Sequence, residues 1–471
     1  MVWPVAWGEY LPDLVRASSV RAVRRPNPGI TPEVLMAQLG DGPAALLDGV
    51  SLGGRKAALV GWDPLWQFSA RDGLVAGRAG AALPPVAADP LELLQAALRL
   101  LPPGPEWPLG VIGVLGYEAL APRERSGEPW PDAWFIYPGA LVAFEKESLV
   151  LVAAGPEAEL AERLAAIEAR VAAAAPQTAV GLPPAALVSA SLSAEAYAAG
   201  VRCIRAAISR GELDKAVLSV RFDVATEADA LAVYRRYAGT PGALRFFVRD
   251  GGATLLGVTP ELLVRLERGR CLMRPLAGTR RRGRTAAEDT ALLANLQAHP
   301  KDAHEHLVAV AQCQRDLATV CLPDSVRVTE RLSVEIYPLV MHLASQVEGQ
   351  LRPEAGGAQL VRACFPAGTV AGVPRAPALR LLGDLEPVPR GPYGGAVGYW
   401  LPGDNLQLFL AIRCLLLAGG MARVQTGAGV VAGSEAASEY RECWLKASGA
   451  LRALGVDESL VAAHLGAPGS E

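Results

Sequence analysis

The stretch VQTGAGVVAGSEAASEYRECWLK, residues 424–446, predicts a strand, a glycine-lined turn and a helix in immediate succession. Gly427, Gly429 and Gly433 line the turn, and Ser434 is the predicted N-cap residue of the helix. We reject a dinucleotide-binding interpretation, because the third glycine comes one residue late and no surrounding strand-helix-strand unit carries the expected acid. Backbone N–H groups of such a turn can still hold a carboxylate or a phosphate. The stretch therefore predicts a site for a small anion where a strand passes into a helix.

The predicted helix after this turn is acidic along one side. Glu439 and Glu442 project together at helical spacing, and Lys446 follows one turn later. Two such carboxylates, with a third from elsewhere, would supply the oxygen ligands that Mg²⁺ takes in proteins. A solvated charged face has the same spacing and is the commoner explanation of it. Both interpretations stay open on spacing alone.

Length and composition indicate a large two-lobed protein with a small partner. At 471 residues the chain exceeds the roughly 250 to 300 at which a single hydrophobic core stops growing. The net charge is −3 and the arginine clusters are local, so we expect no nucleic acid as a partner. The longest apolar run, residues 406–422, is interrupted by Arg413 and is too short to span a bilayer, so we expect no membrane partner either. Seven scattered cysteines, never spaced Cys-x-x-Cys, favour a reduced, cytoplasmic location.

The chain divides into two parts with a turn-rich passage between them. Residues 1–175 predict an N-terminal lobe of short alternating strands that ends in an Ala-rich helix. Residues 176–193 form the predicted linker, because turn-forming residues interrupt any regular pattern there. From residue 194 to residue 460, amphipathic helices alternate with strands. The pattern alone allows an α/β or an α+β fold with two lobes.

Two further helices are predicted to carry acidic side chains at their beginnings. One is predicted over residues 301–321, with Glu305 near its N-terminal end. The other is predicted to begin at Thr259, with Pro260 in its first turn and Glu261 at the positive end of the helix dipole. Each prediction puts a glutamate where a helix begins.

A lysine stands at the start of a predicted buried strand. In GELDKAVLSVRF, residues 211–222, Lys215 precedes the apolar residues Ala216, Val217 and Leu218. Burying an unpaired ammonium group costs about 2 kcal/mol or more. The lysine side chain therefore either reaches solvent along its apolar stem or takes part in chemistry.

Two glycine-rich turns and a lone histidine complete the candidate residues. RPLAGTRRRG (274–283) and RGPYGGAVGYW (390–400) place arginine and tyrosine beside turns that can grip an anion through backbone amides. Structural turns would have the same composition. His342 stands alone among apolar residues, for which a hydrogen-bonded core imidazole is the default. The residues by themselves thus indicate an enzyme or binder of a small, carboxylate-type anion, with Mg²⁺ as a candidate cofactor.

Several longer stretches follow one another in a specific order. They are GVTPELLVRLERGRCLMRPLAGTRRRG (257–283), HPKDAHEHL (299–307), VMHLASQVEGQL (340–351), FPAGTVAGVPRAPALRLLGDLEP (365–387), RGPYGGAVGYW (390–400) and the segment 411–447. Over residues 195–455 the chain closely resembles the catalytic domain of the chorismate-utilising enzymes. That family comprises component I of anthranilate synthase and of aminodeoxychorismate synthase, isochorismate synthase and salicylate synthase. LLDGVSLGGRKAALVGWDP (46–64) in the first lobe is similar to the two component I proteins.

The resemblance implies an α+β fold with a large antiparallel sheet core flanked by helices, and a Mg²⁺-dependent displacement at the chorismate ring. It implies that Glu305, Glu439 and Glu442 hold Mg²⁺. It assigns the role of general acid to Glu261 and a place beside the ring to His342. The residues that it assigns to substrate binding are Gly278, Thr279, Thr369, Tyr393, Arg413, Gly427, Gly429 and Lys446.

The resemblance leaves the nucleophile open. Likeness of the whole chain favours an anthranilate synthase component I, in which ammonia adds to the ring with loss of the hydroxyl and pyruvate is then eliminated. Lys215 favours an isochorismate or salicylate synthase, since those members carry a lysine there as general base on water, and burial favours a neutral amine. An aminodeoxychorismate synthase would need a nucleophilic lysine where PLAGT has Ala277.

A catalytically silent paralogue is disfavoured, because the three predicted metal carboxylates and Glu261 are all present. The family's Gly-Arg-Asn-Asp is replaced here by Cys313-Gln314-Arg315-Asp316, a departure from the ammonia-using members. The substrate implied by the resemblance is chorismate. A separate glutamine amidotransferase subunit is the partner expected of an ammonia-using member, since this chain shows no domain with a nucleophilic cysteine to release ammonia from glutamine.

Overall fold

The computed structural model describes residues 19–52, 55–79, 81–101, 109–120, 128–175, 181–237, 243–337 and 340–465. These residues form 22 strands and 11 α-helices. All of these strands belong to one hydrogen-bonded sheet with antiparallel neighbours. The predicted α+β class, with an antiparallel core flanked by helices, is confirmed.

The first 175 residues supply eight of the described strands and three of the described helices. The strands are β1 (Ser19–Pro26), β2 (Ala44–Leu52), β3 (Arg55–Arg71), β4 (Leu74–Ala79), β5 (Ala81–Ala87), β6 (Val111–Leu115), β7 (Ala133–Phe144) and β8 (Ser148–Gly155). The helices are α1 (Pro32–Met36), α2 (Pro90–Leu100) and α3 (Leu160–Ala173), and α3 confirms the predicted Ala-rich helix.

The remaining described residues supply the other strands and helices. The strands are β9 (Ala186–Ala190), β10 (Lys215–Ala225), β11 (Leu244–Asp250), β12 (Ala253–Thr259), β13 (Leu262–Glu267), β14 (Arg270–Arg274), β15 (Leu276–Arg281), β16 (Arg327–Ile336), β17 (Val340–Gln350), β18 (Gly372–Val373), β19 (Ala396–Leu401), β20 (Asn405–Leu410), β21 (Cys414–Ala418) and β22 (Met421–Val430). The helices are α4 (Ala194–Ser209), α5 (Ala230–Arg236), α6 (Ala286–Ala298), α7 (Pro300–Ala318), α8 (Gly357–Cys364), α9 (Arg375–Leu385), α10 (Ala436–Leu454) and α11 (Glu458–Leu465).

Strands from the two parts of the chain pair with each other. β2 is hydrogen-bonded to β11, and β6 is hydrogen-bonded to β19. The buried hydrophobic residues also combine both parts: one cluster contains Trp134 of β7 with Phe246 of β11, and another contains Leu149 of β8 with Trp444 of α10. The division into domains at residues 175 and 194 stays a prediction, and residues 176–180 of the predicted linker lie outside the described residues.

Two of the helices predicted to carry carboxylates are present in the structure. α7 and α10 confirm the helices predicted to carry Glu305 and Glu439. The predicted cap is wrong: Glu435 occupies the N-cap position of α10, and the Ser434 hydroxyl accepts the backbone N–H of Val431 at 3.0 Å. Among the described residues, no helix is long and apolar enough to cross a membrane.

The helix predicted to begin at Thr259 is also wrong. Thr259 ends β12 and Leu262 begins β13, so Glu261 lies at the junction of two strands. β13 is hydrogen-bonded on both edges, to β14 on one side and to β20 on the other. Pairing along two neighbours outweighs the local helix signal of Thr-Pro-Glu, since tertiary context overrides propensity.

Candidate active site

Lys215 and Glu305 form a close ion pair at the start of β10. The Lys215 Nζ lies 2.6 Å from the Glu305 Oε1, and the lysine side chain is only 5% exposed. Burial opposes the charge of Glu305, but the charge and hydrogen bond of Lys215 hold the pKa of this carboxyl below its usual value. The buried lysine is paired with a carboxylate, so its side chain does not reach solvent along its apolar stem, the first of the two alternatives that the sequence left open.

Gly429 makes the room for that ion pair. Gly429 lies on β22 opposite Val217 of β10. A Cβ atom at position 429 would stand 2.7 Å from both the Glu305 Oε1 and the Lys215 Cε, closer than real Cβ contacts occur. A larger residue at position 429 would therefore force the ends of the Glu305 and Lys215 side chains to shift.

Lys446 joins α10 to the same strand. Its Nζ donates to the backbone carbonyl of Gly427 at 2.9 Å and lies 2.6 Å from the Glu442 Oε1. A Cβ at Gly427 would stand 3.0 Å from the Tyr393 hydroxyl, so this glycine gives Tyr393 access to the strand. Gly427 and Gly429 lie two residues apart on β22, so the prediction that they line a turn is wrong, and both admit functional side chains on the same face of the strand.

Glu439 lies one turn before Glu442 and is 4% exposed. Burial is the main cause that raises the pKa of Glu439, and the nearby carboxylates Glu442 and Glu305 add to it. Its Oε1 has no hydrogen-bond partner among the described residues. The ammonium of Lys301, at the start of α7, lies 3.5 Å from this oxygen.

These contacts show how the three predicted metal carboxylates are arranged. Glu305, Glu439 and Glu442 are near enough to influence one another, they offer only hard oxygen donors, and one buried oxygen is without a hydrogen bond. These features fit a Mg²⁺ ion. Within the described part of the chain, however, no three His, Cys, Asp or Glu side chains stand close enough to share one ion. Each of the three carboxylates faces a lysine instead.

Glu261 is a buried carboxyl at the β12–β13 junction. It is 7% exposed, and its Oε1 accepts the Thr369 hydroxyl at 2.7 Å. Burial raises the pKa of Glu261 to about 7, against the opposing effects of the Thr369 hydrogen bond and of the Lys215 charge. The proton is therefore retained by burial and not by a helix terminus, whose positive end would have favoured the charged form.

His342 is held in one defined state. Its Nε2 lies 3.3 Å from the Arg413 guanidinium, and its Nδ1 lies 3.0 Å from the Thr279 hydroxyl and 3.2 Å from the Gly278 carbonyl. Because arginine only donates, Nε2 must accept and Nδ1 must carry the proton. Burial, reinforced by Arg413, lowers the pKa of His342 to about 4, so the ring is neutral at pH 7.

The turn that carries Arg390 was expected to bind an anionic ligand, but the Arg390 side chain binds a carboxylate of the protein itself. Its guanidinium is buried and binds the Glu386 carboxylate, with donors 2.6 and 2.8 Å from the two oxygens. It also donates to the carbonyls of Val370 and Val217 at 2.6 Å each. Its centre lies 5.8 Å from the Tyr393 ring centroid. Arg390 therefore ties together the segments that carry Thr369, Lys215 and Tyr393.

The positive charge of Lys446 acts on three of the predicted titratable residues. Burial prevails at Glu261 and His342 and is outweighed by Lys215 at Glu305, and the Lys446 ammonium lowers the pKa of all three groups as a further cause. The structure thus gathers the predicted residues around one site. They are Lys215, Glu261, Gly278, Thr279, Glu305, His342, Thr369, Tyr393, Arg413, Gly427, Gly429, Glu439, Glu442 and Lys446.

Sequence reasoning missed Lys301 and the pairing of Arg390 with Glu386. Lys301 has a local signal, because it precedes Glu305 by four residues on α7, whereas Glu386 and Arg390 lie beyond the end of α9, where no helical spacing relates them. A cavity of about 550 Å³ lies elsewhere, lined by Trp62, Arg163 and other residues, none of which belongs to the predicted site.

The antiparallel α+β fold places buried carboxyls and cations around glycine-containing strands, an arrangement typical of enzyme sites. The family model described as chorismate binding enzyme matches residues 43–452. The chain belongs to this family of chorismate-utilising enzymes.

Two curated relatives are named anthranilate synthase component 1. The one from Spirochaeta aurantia is 34% identical over 380 residues, which cover 75% of this chain and 78% of that protein. The one from Thermus thermophilus is 35% identical over 390 residues, which cover 79% and 84%. The relatives are thus similar over most of both chains.

Two solved structures share the fold. The chain superposes on anthranilate synthase component I from Streptococcus pneumoniae with a TM-score of 0.74 at 25% identity, covering 91% of this chain and all of that one. It superposes on the menaquinone-specific isochorismate synthase from Escherichia coli with a TM-score of 0.72 at 20% identity, covering 93% and 95%. The second likeness concerns the fold alone.

Proposed function

We propose that this chain is component I of an anthranilate-type synthase. Ammonia bonds to the ring of chorismate, the ring hydroxyl leaves as water after taking a proton, and pyruvate is then eliminated. The names of relatives that are similar over three quarters of the chain support this choice among the family's reactions.

The observation that carries the chemistry is the state of Glu261. A general acid works best when its pKa lies near the operating pH. Burial raises the pKa of Glu261 to about 7, and the Thr369 hydroxyl fixes one of its oxygens at 2.7 Å. Glu261 is therefore suited to give its proton to the departing hydroxyl.

The remaining side chains are suited to bind and orient a dicarboxylate. Arg413 and Lys446 supply positive charge, and the Tyr393 hydroxyl supplies a donor beside Gly427. Neutral His342, fixed between Arg413 and Thr279, is suited to pack beside the ring. Bound Mg²⁺ would neutralise a substrate carboxylate, and Glu305, Glu439 and Glu442 are the residues proposed to hold it.

A second candidate function is isochorismate or salicylate synthesis, in which water is the nucleophile. The observation that favours it is Lys215, whose buried amine stands at the position that the resemblance assigns to a general base. The aminodeoxychorismate reaction is less well supported, because Ala277 offers no amine for a covalent intermediate. For an ammonia-using enzyme, we further propose a glutamine amidotransferase subunit as partner and a cytoplasmic location.

The test is the identity of the product. We would incubate the purified chain with chorismate and Mg²⁺, with and without ammonium chloride at about pH 8.5, because raising the pH increases the fraction of ammonium present as free ammonia. Anthranilate formed only with ammonium supports the proposal, and Lys215→Gln should then be mild. Isochorismate or salicylate in both samples, abolished by Lys215→Gln, would favour the second candidate. Absence of chorismate turnover in either sample would contradict both.

A further inference from the structure

Each of the three proposed metal ligands faces its own lysine. Lys215 faces Glu305 at 2.6 Å, Lys446 faces Glu442 at 2.6 Å, and Lys301 faces Glu439 at 3.5 Å. We propose that Lys301 is a positioning residue that occupies Glu439 and sets the affinity of the carboxylates for a divalent cation. This inference rests on the proposed function, which assigns a metal to these carboxylates.

The Lys301 contact is the loosest of the three. Its side chain is 46% exposed, whereas that of Lys215 is 5% exposed and that of Lys446 is 36% exposed. At 3.5 Å its ammonium neutralises the Glu439 Oε1 without forming a hydrogen bond, since that oxygen has no such partner among the described residues. An exposed amine can return to water at little cost. Lys301 is therefore the cation that most readily yields its place.

The position of Lys301 on α7 makes the competition direct. Lys301 precedes Glu305 by four residues, so both side chains lie on the same face of the helix. The positive charge of Lys301 acts on Glu305 as well as on Glu439. A divalent ion approaching these carboxylates meets the repulsion of this ammonium and must separate it from Glu439.

The prediction is that removing Lys301 tightens metal binding. We would titrate the full-length chain with Mn²⁺ alone and follow the free ion by electron paramagnetic resonance. Lys301→Met should lower the Kd for Mn²⁺ about fivefold, the size of an exposed ion pair. Lys301→Gln should act in the same direction. Lys146→Met is the matched control, because Lys146 is exposed in the turn between β7 and β8, and its Kd should equal that of the wild type.

Glu439→Gln identifies the site, because it should weaken Mn²⁺ binding in both the wild-type and Lys301→Met backgrounds. Suppose that Mn²⁺ binding depends on Glu439 but its affinity is unchanged or weaker in Lys301→Met. This result would overturn the inference about Lys301, but it would agree with the proposed metal ligands. Binding that ignores Glu439, or none in any variant, would overturn both the inference and the proposed metal assignment. Product identity, measured separately, still decides the reaction.

Discussion

The carboxylate of Glu305 and the ammonium of Lys215 meet 2.6 Å apart beside Gly429, in space that a single Cβ atom would fill. The pair joins α7 to β10, which are 90 residues apart in the sequence. It places a proposed metal ligand against the proposed base of the alternative reaction. The glycine opposite is thus as much a part of the site as the charged groups.

Gly429→Ala should therefore separate the pair. The added methyl would lie 2.7 Å from an oxygen of Glu305, and a displacement of about 1 Å in a catalytic site can cost 10²-fold in rate. We expect kcat/KM for chorismate to fall about 10²-fold while the chain stays folded by circular dichroism. Gly433→Ala is the matched control, since no atom lies within 4 Å of its added Cβ. Equal activity in the two variants would show that the close approach of Glu305 and Lys215 to position 429 does not affect catalysis.

The buried pair of Arg390 and Glu386 should matter chiefly for stability. Arg390 is 3% exposed, so Arg390→Met leaves Glu386 charged in a buried position. Removing one partner of a buried ion pair costs about 3–5 kcal/mol in the free energy of unfolding. Urea unfolding followed by fluorescence measures this change. Arg210→Met, which breaks the exposed pair of Arg210 with Glu212, should leave the unfolding midpoint unchanged. A similarly small effect at Arg390 would contradict its assigned role.

Glu261 should make the fold less stable as the pH rises. Its pKa is about 7 in the folded chain, against 4.5 for an unperturbed glutamate, so the folded state binds the extra proton between these values. Stability contributed by that proton is present below about pH 4.5 and is lost as the pH rises through about 7. Glu261→Gln removes the titration and should stabilise the chain by up to about 3 kcal/mol at pH 8.5, with no gain at pH 4.5.

Thermal unfolding at the two pH values, with a chelator present, checks this difference. Glu147→Gln, at an exposed position in the turn between β7 and β8, is the control and should show no pH-dependent gain. A Glu261→Gln variant that is no more stable than the wild type at pH 8.5 would mean that the buried carboxyl is not protonated near neutral pH.

Sequence periodicity predicted the helices that carry Glu305 and Glu439, because an amphipathic helix leaves its pattern in consecutive residues. It failed at Glu261, where Thr-Pro-Glu has the chemistry of a helix start. The strands β14 and β20, distant in sequence, pair with that segment and impose an extended conformation. The residues near Glu261 in the sequence do not indicate that these strands will pair with it.

The sequence also did not predict which side chains, distant along the chain, contact one another. The position of Lys215 at the start of a buried strand was predictable, but its contact with Glu305 depends on how α7 packs against β10. Family resemblance named both residues without giving their separation. Lys301 stands four residues before Glu305 on the same helix, so the helical i, i+4 rule could have drawn attention to it. Glu386 lies at the end of α9, and its pairing with Arg390 follows from a non-helical segment that the rule does not cover.

The most direct test of the account is chorismate turnover by Glu261→Gln. The amide keeps the shape of the side chain but has no acidic proton to give. We predict that turnover falls by about 10²–10⁴-fold, the usual contribution of a general acid, while the Kd for chorismate in a separate binding titration changes little. Turnover within a few-fold of the wild type would contradict the account, because the hydroxyl would then leave without the proton of Glu261.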